Sequence, residues 1–315
     1  MKVLVTGGAG FIGANLCREL MGRPEVDRVV ALDDLSTGCA ANLDGTGAEL
    51  VEGSILDTVV LGRLVAEADA VVHLAARPSV PRSLADPVAS HDVNATGTVR
   101  VLEACRRETV HVVAASSSSV YGSVASLPKH EDLPTRPLSP YGASKLATEA
   151  YVLAYGASFG LPSLAFRFFN VYGPLQPAGH AYAAVVPTFV DAAMRGEPLL
   201  VHGDGYQTRD FTFVGTVTGV LADAVLRRVT SDEPVNLAFG TRVSVLELTR
   251  RLSVVLGTPV EVRHGPPRAG DVRESQAADD RLRRLFPGAA AVPLEEGLRR
   301  TVAWFRGRPV YAAAP

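Results

Sequence analysis

Two side chains near the middle of the chain are spaced for acid–base chemistry. Tyr141 and Lys145 lie four residues apart, so a helix would place both on one face. Pro140 precedes them and predicts that this helix begins there, because proline suits the first helical turn. A neighbouring ammonium group lowers the pKa of a phenol, so this pair could remove a proton from a substrate hydroxyl near neutral pH. Lys145 is one of only three lysines among 31 basic residues, which favours a specific use of its compact ammonium group.

A glycine-rich segment at the start of the chain predicts a dinucleotide site. Gly7, Gly10 and Gly13 follow an apolar run and open a helical pattern. This spacing permits a tight turn, close approach of a pyrophosphate to the helix N-terminus, and close packing of helix on strand. Asp33 and Asp34 end the second apolar run, where a carboxylate binds the ribose hydroxyls of NAD and repels the extra phosphate of NADP. The sequence therefore predicts NAD as the cofactor.

The elements that must position these residues alternate between apolar strands and helices. Strands are predicted at Lys2–Thr6, Arg28–Leu32, Glu49–Glu52, Ala70–Leu74, Val110–Ala115 and Ser163–Phe168. Helices are predicted between them at Phe11–Met21, Val59–Ala66, Val88–Arg107 and Pro140–Phe159. The alternation indicates an α/β fold with a doubly wound parallel sheet (a Rossmann fold), whose sites lie at the carboxyl ends of the strands.

The rhythm of the sequence changes after about residue 170. Shorter elements follow, with helices predicted at Gly215–Arg228 and Val245–Leu256 and a strand at Val235–Ala238. We expect residues 1–170 to form the NAD-binding domain. Residues 171–315 are expected to form a smaller C-terminal substrate-binding domain, from which a strand or helix could return to the first.

Composition excludes several classes of protein. The 315 residues include 31 basic and 33 acidic side chains, and this balance does not favour a nucleic-acid or membrane-surface partner. Three scattered cysteines do not suit a disulfide framework or a zinc site, and we expect no metal. The N-terminus lacks the pattern of a signal peptide. The longest segment without a charged residue, Phe168–Val190, holds three prolines and two glycines and is no membrane helix, so a cytoplasmic protein is expected.

With these motifs the sequence resembles the extended short-chain dehydrogenase/reductases, and most closely the NAD-dependent nucleotide-sugar 4-epimerases. The resemblance spans nearly the whole chain. Besides the residues above, it rests on these segments: Asp34–Gly38, His73–Ala76, Ser79–Ser83, Asn94–Thr98, Ser117–Gly122, Arg167–Pro174, Gly203–Gly205 and Arg268–Asp271. It implies an isomerase that inverts C4 of a UDP-hexose through a 4-keto sugar, with NAD reduced and reoxidised in place.

The resemblance also implies roles for individual residues. Ser117 would bind the reacting oxygen beside Tyr141, and Lys145 would bind the nicotinamide ribose. The implied cofactor site comprises Gly7, Gly10, Phe11, Ile12, Gly13, Asp33, Asp34, Ser36, Thr37, Gly38, Ser54, Ile55, Leu74, Ala75, Ala76, Asn94, Ser116, Tyr141, Lys145 and Phe168. The implied substrate site comprises Ser79, Ser117, Ser118, Tyr141, Asn170, Val185, Val201, His202, Arg209, Arg268, Asp271 and Ser275.

The chain departs from the pattern of the family at two positions. Ser54 stands where the family usually has the aspartate that contacts adenine, so either adenine is bound less strongly or Asp57 substitutes. Arg77 stands where a neutral side chain is expected.

Three other functions are alternatives to 4-epimerisation. Related dehydratases carry acids immediately before the Val-Tyr-Gly run, whereas this chain has Ser118 and Ser119, which cannot serve as the required acid and base. A UDP-glucuronate 4-epimerase stays open, although Asn170 favours a neutral sugar. A non-catalytic NAD-binding protein is disfavoured because tyrosine, lysine and serine are all present.

The resemblance extends to specificity and assembly. The position of Ser275 corresponds to one wall of the sugar pocket, where a small residue leaves space for an N-acetyl group. We therefore expect UDP-N-acetylglucosamine and UDP-N-acetylgalactosamine as substrates besides UDP-glucose and UDP-galactose. The helices around Val88–Arg107 and Pro140–Phe159 are expected to form a homodimer.

Overall fold

A computed structural model describes residues 1–179, 183–267 and 273–307. Its strands are β1 (Lys2–Thr6), β2 (Arg28–Asp33), β3 (Glu49–Glu52), β4 (Ala70–His73), β5 (His111–Ser117), β6 (Ser163–Phe168), β7 (Val171–Tyr172), β8 (Leu199–His202), β9 (Thr208–Arg209), β10 (Thr212–Phe213), β11 (Val235–Leu237), β12 (Val243–Ser244) and β13 (Val262–Gly265). Its α-helices are α1 (Phe11–Met21), α2 (Thr58–Ala66), α3 (Val80–Ala85), α4 (Pro87–His91), α5 (Gly97–Glu108), α6 (Pro140–Phe159), α7 (Val185–Met194), α8 (Val214–Leu226), α9 (Val245–Leu256), α10 (Asp280–Leu285) and α11 (Leu294–Arg306).

A seven-stranded parallel sheet in the order β11-β6-β5-β4-β1-β2-β3 forms the centre of the molecule. The predicted α/β fold with a doubly wound parallel sheet is confirmed. The strand order reverses between β1 and β4, which is where open parallel sheets bind ligands. The sheet also includes β11, from the part of the chain beyond residue 170, which pairs with β6.

The sheet is buried on both faces because its strands are apolar at successive positions. Val3 and Val5 face a core that contains side chains of α1 and α8. Leu4, between them, faces the opposite core with α2, α5 and α6. Strand bounds predicted from these apolar runs agree with the structure to within two residues in this part of the chain.

A third core holds the later part of the chain together. It joins aromatic and aliphatic side chains of α7, α9, α11 and β8, among them Phe189, Leu248 and Phe305. Paired short strands, β7 with β10, β9 with β12 and β8 with β13, lie beside this core. None of the helices in the described ranges is long and apolar enough to cross a membrane.

The prediction of a single α-helix at Val88–Arg107 is wrong. The chain forms α4, then a π-helical turn at Asp92–Thr96, and then α5. The side chain of Asn94, inside the π turn, accepts from the backbone N–H of Arg77 at 2.6 Å and donates to Ser144 Oγ at 2.9 Å. Partners distant in sequence hold this turn, so helical periodicity alone could not predict it.

Candidate active site

The glycine-rich loop between β1 and α1 lies against the carboxyl end of β4. Gly7 has φ +71°, and a Cβ atom on it would lie 2.7 Å from the backbone nitrogen of Ala75. A Cβ atom on Gly13 would overlap the carbonyl oxygen of Gly7. Gly10 precedes α1 and offers no capping side chain, so the first backbone N–H groups of the helix are open to an anion. This loop therefore has the shape of a pyrophosphate cradle.

Asp33, at the end of β2, holds this loop through its carboxylate. Its Oδ2 accepts from the backbone N–H of Ala9 at 2.9 Å, and its Oδ1 accepts from that of Leu35 at 2.9 Å. Burial raises the pKa of Asp33, and these backbone donors lower it in part. Asp34 is exposed and accepts from the backbone N–H and hydroxyl of Ser36. Both acids thus lie beside the loop, and ribose binding by Asp33 stays a prediction.

The proposed catalytic side chains meet at the carboxyl end of β5. Ser117 is the last residue of β5, and its side chain is close enough to Tyr141, at the start of α6, to lower the pKa of that phenol. Ser139 caps α6 by accepting from the backbone N–H of Gly142 at 3.1 Å, which fixes the start of the helix at Pro140 and so places Tyr141 in its first turn. Lys145, one turn later, donates from Nζ to the carbonyl oxygen of Ala115 at 2.8 Å. The structure therefore brings Ser117, Tyr141 and Lys145 to one place.

The electrostatics of this group differ from the expectation. Burial lowers the pKa of Lys145 to about 8. Burial also raises the pKa of Tyr141, while the hydrogen bond with Ser117 lowers it in part. The expectation that Lys145 makes Tyr141 more acidic than a free phenol is therefore wrong for this structure. The lysine ammonium is turned to the Ala115 carbonyl, and desolvation dominates at the tyrosine.

A buried hydrogen-bonded chain connects the cofactor loop to α6. Thr6 Oγ1 lies 2.8 Å from His73 Nδ1, and His73 Nε2 lies 3.0 Å from Thr98 Oγ1. Thr98 in turn lies 3.1 Å from Thr148 Oγ1 on α6. Burial lowers the pKa of His73 to about 3, so its ring is neutral. Sequence reasoning missed these residues as a group, although His73 and Thr98 belong to the segments that carry the resemblance.

Other predicted cofactor residues lie around the same strand ends. Leu74, Ala75 and Ala76 follow β4, and Asn94 of the π turn bonds to the backbone of Arg77, the next residue. Phe168 ends β6. The remaining predicted residues of this set lie in the loop after β2, Thr37 and Gly38, and at the start of α1, Phe11 and Ile12.

The segment after β3 clarifies the first departure from the family pattern. Ser54 Oγ accepts from the backbone N–H of Leu56 at 3.1 Å. Asp57 caps α2 by accepting from the backbone N–H groups of Val59 and Val60. The cap uses only Oδ1 of Asp57, so a contact of its other oxygen with adenine stays a prediction. Ile55, between them, is buried in the core with α2 and α5.

Ser116 is directed away from the cofactor loop. Its hydroxyl donates to Glu149 Oε2 at 2.8 Å and lies 3.3 Å from the carbonyl oxygen of Lys145. Ser117 Oγ, by contrast, accepts from Ser119 Oγ at 2.9 Å. Ser119 and Ser83, whose Oγ accepts from the backbone N–H of Tyr141, are further neighbours of the site that sequence reasoning did not assign.

The predicted substrate residues divide into those near the strand ends and those elsewhere. Ser79 caps α3, and Ser118 begins a short 3₁₀ turn after Ser117. Asn170 is exposed after β6, and its carbonyl oxygen accepts from the backbone N–H of Thr212 at 3.1 Å. Val185 begins α7.

The substrate residues of the later part surround β8 and β9. Val201 of β8 packs into the third core, so its side chain faces away from solvent, while His202 is half-buried. Arg209 of β9 donates to the carbonyl oxygen of Thr208 at 2.7 Å. Ser275 is held beside it, because its backbone N–H donates to the same carbonyl oxygen at 3.2 Å. Arg268 and Asp271 lie outside the described residues.

Comparison with known proteins agrees with this geometry. The model of the NAD dependent epimerase/dehydratase family matches residues 3–238. The chain belongs to this family. The UDP-glucose 4-epimerase of Mycolicibacterium smegmatis is 38% identical over 320 residues, which cover 98% of this chain and 99% of that protein. The predicted NAD-dependent epimerase family, with NAD as its cofactor, is confirmed.

Solved structures of this epimerase family match the fold over almost its whole length. A UDP-N-acetylglucosamine 4-epimerase from Methanobrevibacter ruminantium, in complex with UDP-N-acetylmuramic acid, is 33% identical with a TM-score of 0.91, covering 96% of this chain and 97% of that one. The UDP-glucose 4-epimerase of Thermus thermophilus, in complex with NAD, is 36% identical with a TM-score of 0.87, covering 98% and 99%. The glycine loop, which a side chain at Gly7 or Gly13 would obstruct, suits the NAD of the family.

Proposed function

We propose that this protein is an NAD-dependent UDP-hexose 4-epimerase that interconverts UDP-glucose and UDP-galactose and accepts their N-acetylated counterparts. The observation that carries the proposal is the meeting of Ser117, Tyr141 and Lys145 at the end of β5, beside a loop shaped for a pyrophosphate. The names of the similar proteins support the same activity.

In the proposed reaction the protein moves one proton and holds the sugar in place. Tyr141 acts as a phenolate, which burial disfavours, so a positive charge beside the ring has to offset the burial. It accepts the proton of the C4 hydroxyl and later returns it, and Ser117 hydrogen bonds to the same oxygen as it becomes a ketone. Lys145 holds the nicotinamide ribose, which orients the reacting carbon. NAD, when bound, would supply the acceptor and donor of the hydride for this chemistry. The 4-keto sugar rotates between oxidation and reduction, while Asn170 holds the sugar or its phosphate and Arg209 and Arg268 hold the diphosphate.

Two observations support epimerisation over dehydration. Ser118 and Ser119 occupy the positions at which dehydratases need a carboxylic acid and a base, and a hydroxyl supplies neither. The hydroxyl of Ser119 donates to Ser117 Oγ at 2.9 Å, so it supports the proposed catalytic serine.

A neutral sugar is favoured over a glucuronate, the second candidate substrate. Arg77, the unexpected cation near the site, pairs with Asp86 at 3.2 Å, so the pair presents no net positive charge to a sugar carboxylate. Asn170 is a neutral hydrogen-bonding side chain. The small side chain of Ser275 supports space for an N-acetyl group.

The test is incubation of the purified protein with UDP-glucose, UDP-N-acetylglucosamine and UDP-glucuronate. The products are separated by chromatography, and their masses are measured by mass spectrometry. We expect C4 epimers of the first two, with unchanged mass. A product lighter by the mass of water, or turnover of the glucuronate alone, would refute the proposal. Tyr141→Phe, assayed in parallel, separates activity of this site from a contaminating epimerase.

We also propose that the enzyme is a cytoplasmic homodimer. Exposed apolar side chains cluster on α3, α4 and α6, which contact one another, and include Leu84, Val88 and Tyr151. Exposed apolar surface of this kind is typical of an interface between subunits. The cysteines Cys17, Cys39 and Cys105 are all free, as expected in a reducing compartment.

Sedimentation velocity tests the dimer with a matched control. Val88→Glu should shift the protein to monomer, because an unpaired charge at the centre of an apolar interface is costly. Val254→Glu, at an exposed valine on α9, should sediment as the wild type does. Equal behaviour of both variants would assign the contact to another face.

A further inference from the structure

A buried ion pair lies behind the proposed catalytic residues. Arg167 of β6 contacts Glu149 of α6 through two bonds, Nη2 to Oε1 at 2.6 Å and Nε to Oε2 at 2.8 Å. Both side chains are only 4% exposed. The guanidinium also donates to the carbonyl oxygen of Glu131 at 3.2 Å and lies 4.7 Å from the ring centre of Tyr121. The arginine is therefore held rigidly on several sides.

This pair is connected directly to the elements that carry the catalytic residues. Glu149 lies one turn after Lys145 on α6, and its Oε2 accepts from the hydroxyl of Ser116, the residue before Ser117 on β5. Lys145 itself donates to the carbonyl oxygen of Ala115. Two consecutive residues of β5 are thus bonded to two consecutive turns of α6. Sliding of the helix along the strand would break both contacts together.

Stability alone gives a weak reason to bury these charges. Removing two charges from water is costly, and replacing a buried ion pair by apolar side chains is often neutral or stabilising. What an apolar pair cannot reproduce is the directional bond from Ser116 to Glu149, which fixes the register of α6 on β5. Small displacements of reacting groups lower enzymatic rates strongly.

We infer that Glu149 and Arg167 are positioning residues for epimerisation, which hold Tyr141 and Ser117 at the distance that proton transfer requires. The inference rests on the proposed function of this site. Neither residue contacts the substrate in the proposed reaction. Arg167 orients the carboxylate of Glu149, and Glu149 orients β5 and α6 through Ser116.

Three variants test the inference. The neutral double variant Glu149→Leu with Arg167→Met should keep a melting temperature near that of the wild type. Its kcat should fall roughly 10- to 100-fold, with KM for the UDP-sugar and retained NAD nearly unchanged. Ser116→Ala keeps the ion pair and removes only the bond to β5, and its kcat should fall roughly tenfold in the same pattern. Arg281→Met is the control, since Arg281 is 10% exposed and pairs with Glu233 and Asp132.

The outcomes separate the inference from the proposed function. The Arg281 variant should lose stability and keep its kcat. Wild-type kcat in both the double variant and Ser116→Ala would overturn the inference, as would a loss of kcat that follows melting temperature in all variants, including the control. If the double variant does not fold, the kcat and KM of Ser116→Ala decide. Wild-type activity of Tyr141→Phe would instead refute the proposed function, whatever the ion pair does.

Discussion

Replacing Lys145 by methionine should change both activity and the pH dependence of stability. Burial lowers the pKa of Lys145 from 10.5 to about 8, and the side chain is only 5% exposed. The folded protein therefore holds this proton less tightly than the unfolded chain does. Methionine has a similar length and no ionisable group, so it removes this cost at every pH.

The sign and size follow from the two pKa values of the lysine. Between pH 8 and pH 10.5 the unfolded chain binds more protons at this residue, so the free energy of unfolding of the wild type rises with pH. The burial cost is nearly complete at about pH 7 and mostly gone at about pH 10. Relative to that of Lys145→Met, the free energy of unfolding of the wild type should rise by about 2.5 kcal/mol between these pH values. Lys145→Met also loses the bond to the Ala115 carbonyl. This loss changes the stability of the variant by a similar amount across the pH range, so it has little effect on the pH dependence of the difference.

The assay is urea unfolding of NAD-free protein at intervals from about pH 7 to about pH 10, because bound NAD would stabilise the folded state by mass action. Lys2→Met, at an exposed lysine on β1, is the control and should follow the pH dependence of the wild type, since it removes no burial cost. A constant difference between wild type and Lys145→Met across this range would refute the reasoning. Turnover by Lys145→Met should be strongly reduced throughout.

Four further predictions concern the cofactor and the sugar. Tyr141→Phe should lower kcat roughly a hundredfold or more and leave binding of the UDP-sugar intact by calorimetry, because it deletes only the base. Asp33→Asn should weaken NAD binding by about 1.5–3 kcal/mol and reduce the preference for NAD over NADP. An unchanged ratio of the dissociation constants for NAD and NADP would contradict this prediction. Gly13→Ala should abolish retention of NAD, whereas Gly62→Ala on α2, with open space around its Cβ position, should retain it. Ser275→Tyr should lower kcat/KM for UDP-N-acetylglucosamine far more than for UDP-glucose by steric exclusion, and equal losses would remove Ser275 from the specificity argument.

The sequence by itself determined the strands of the main sheet and several of the helices around it. Runs of apolar residues predicted the strands of the main sheet, and Pro140 correctly marked the start of α6. The spacing of Gly7, Gly10 and Gly13 predicted the cofactor loop. These features are readable because periodicity, helix caps and glycine turns depend on neighbours within a few residues.

Only the tertiary structure decided how the polar groups are used. It turned Ser116 toward Glu149, engaged Asp57 in a helix cap and inserted a π turn around Asn94. It also raised the pKa of Tyr141, where the spacing to Lys145 had predicted a decrease. Each of these outcomes depends on burial or on a partner at least as much as on sequence spacing. The spacing of Tyr141 and Lys145 places both on one face of a helix. Only packing decides how far they are shielded from water and which carbonyl groups they bond to.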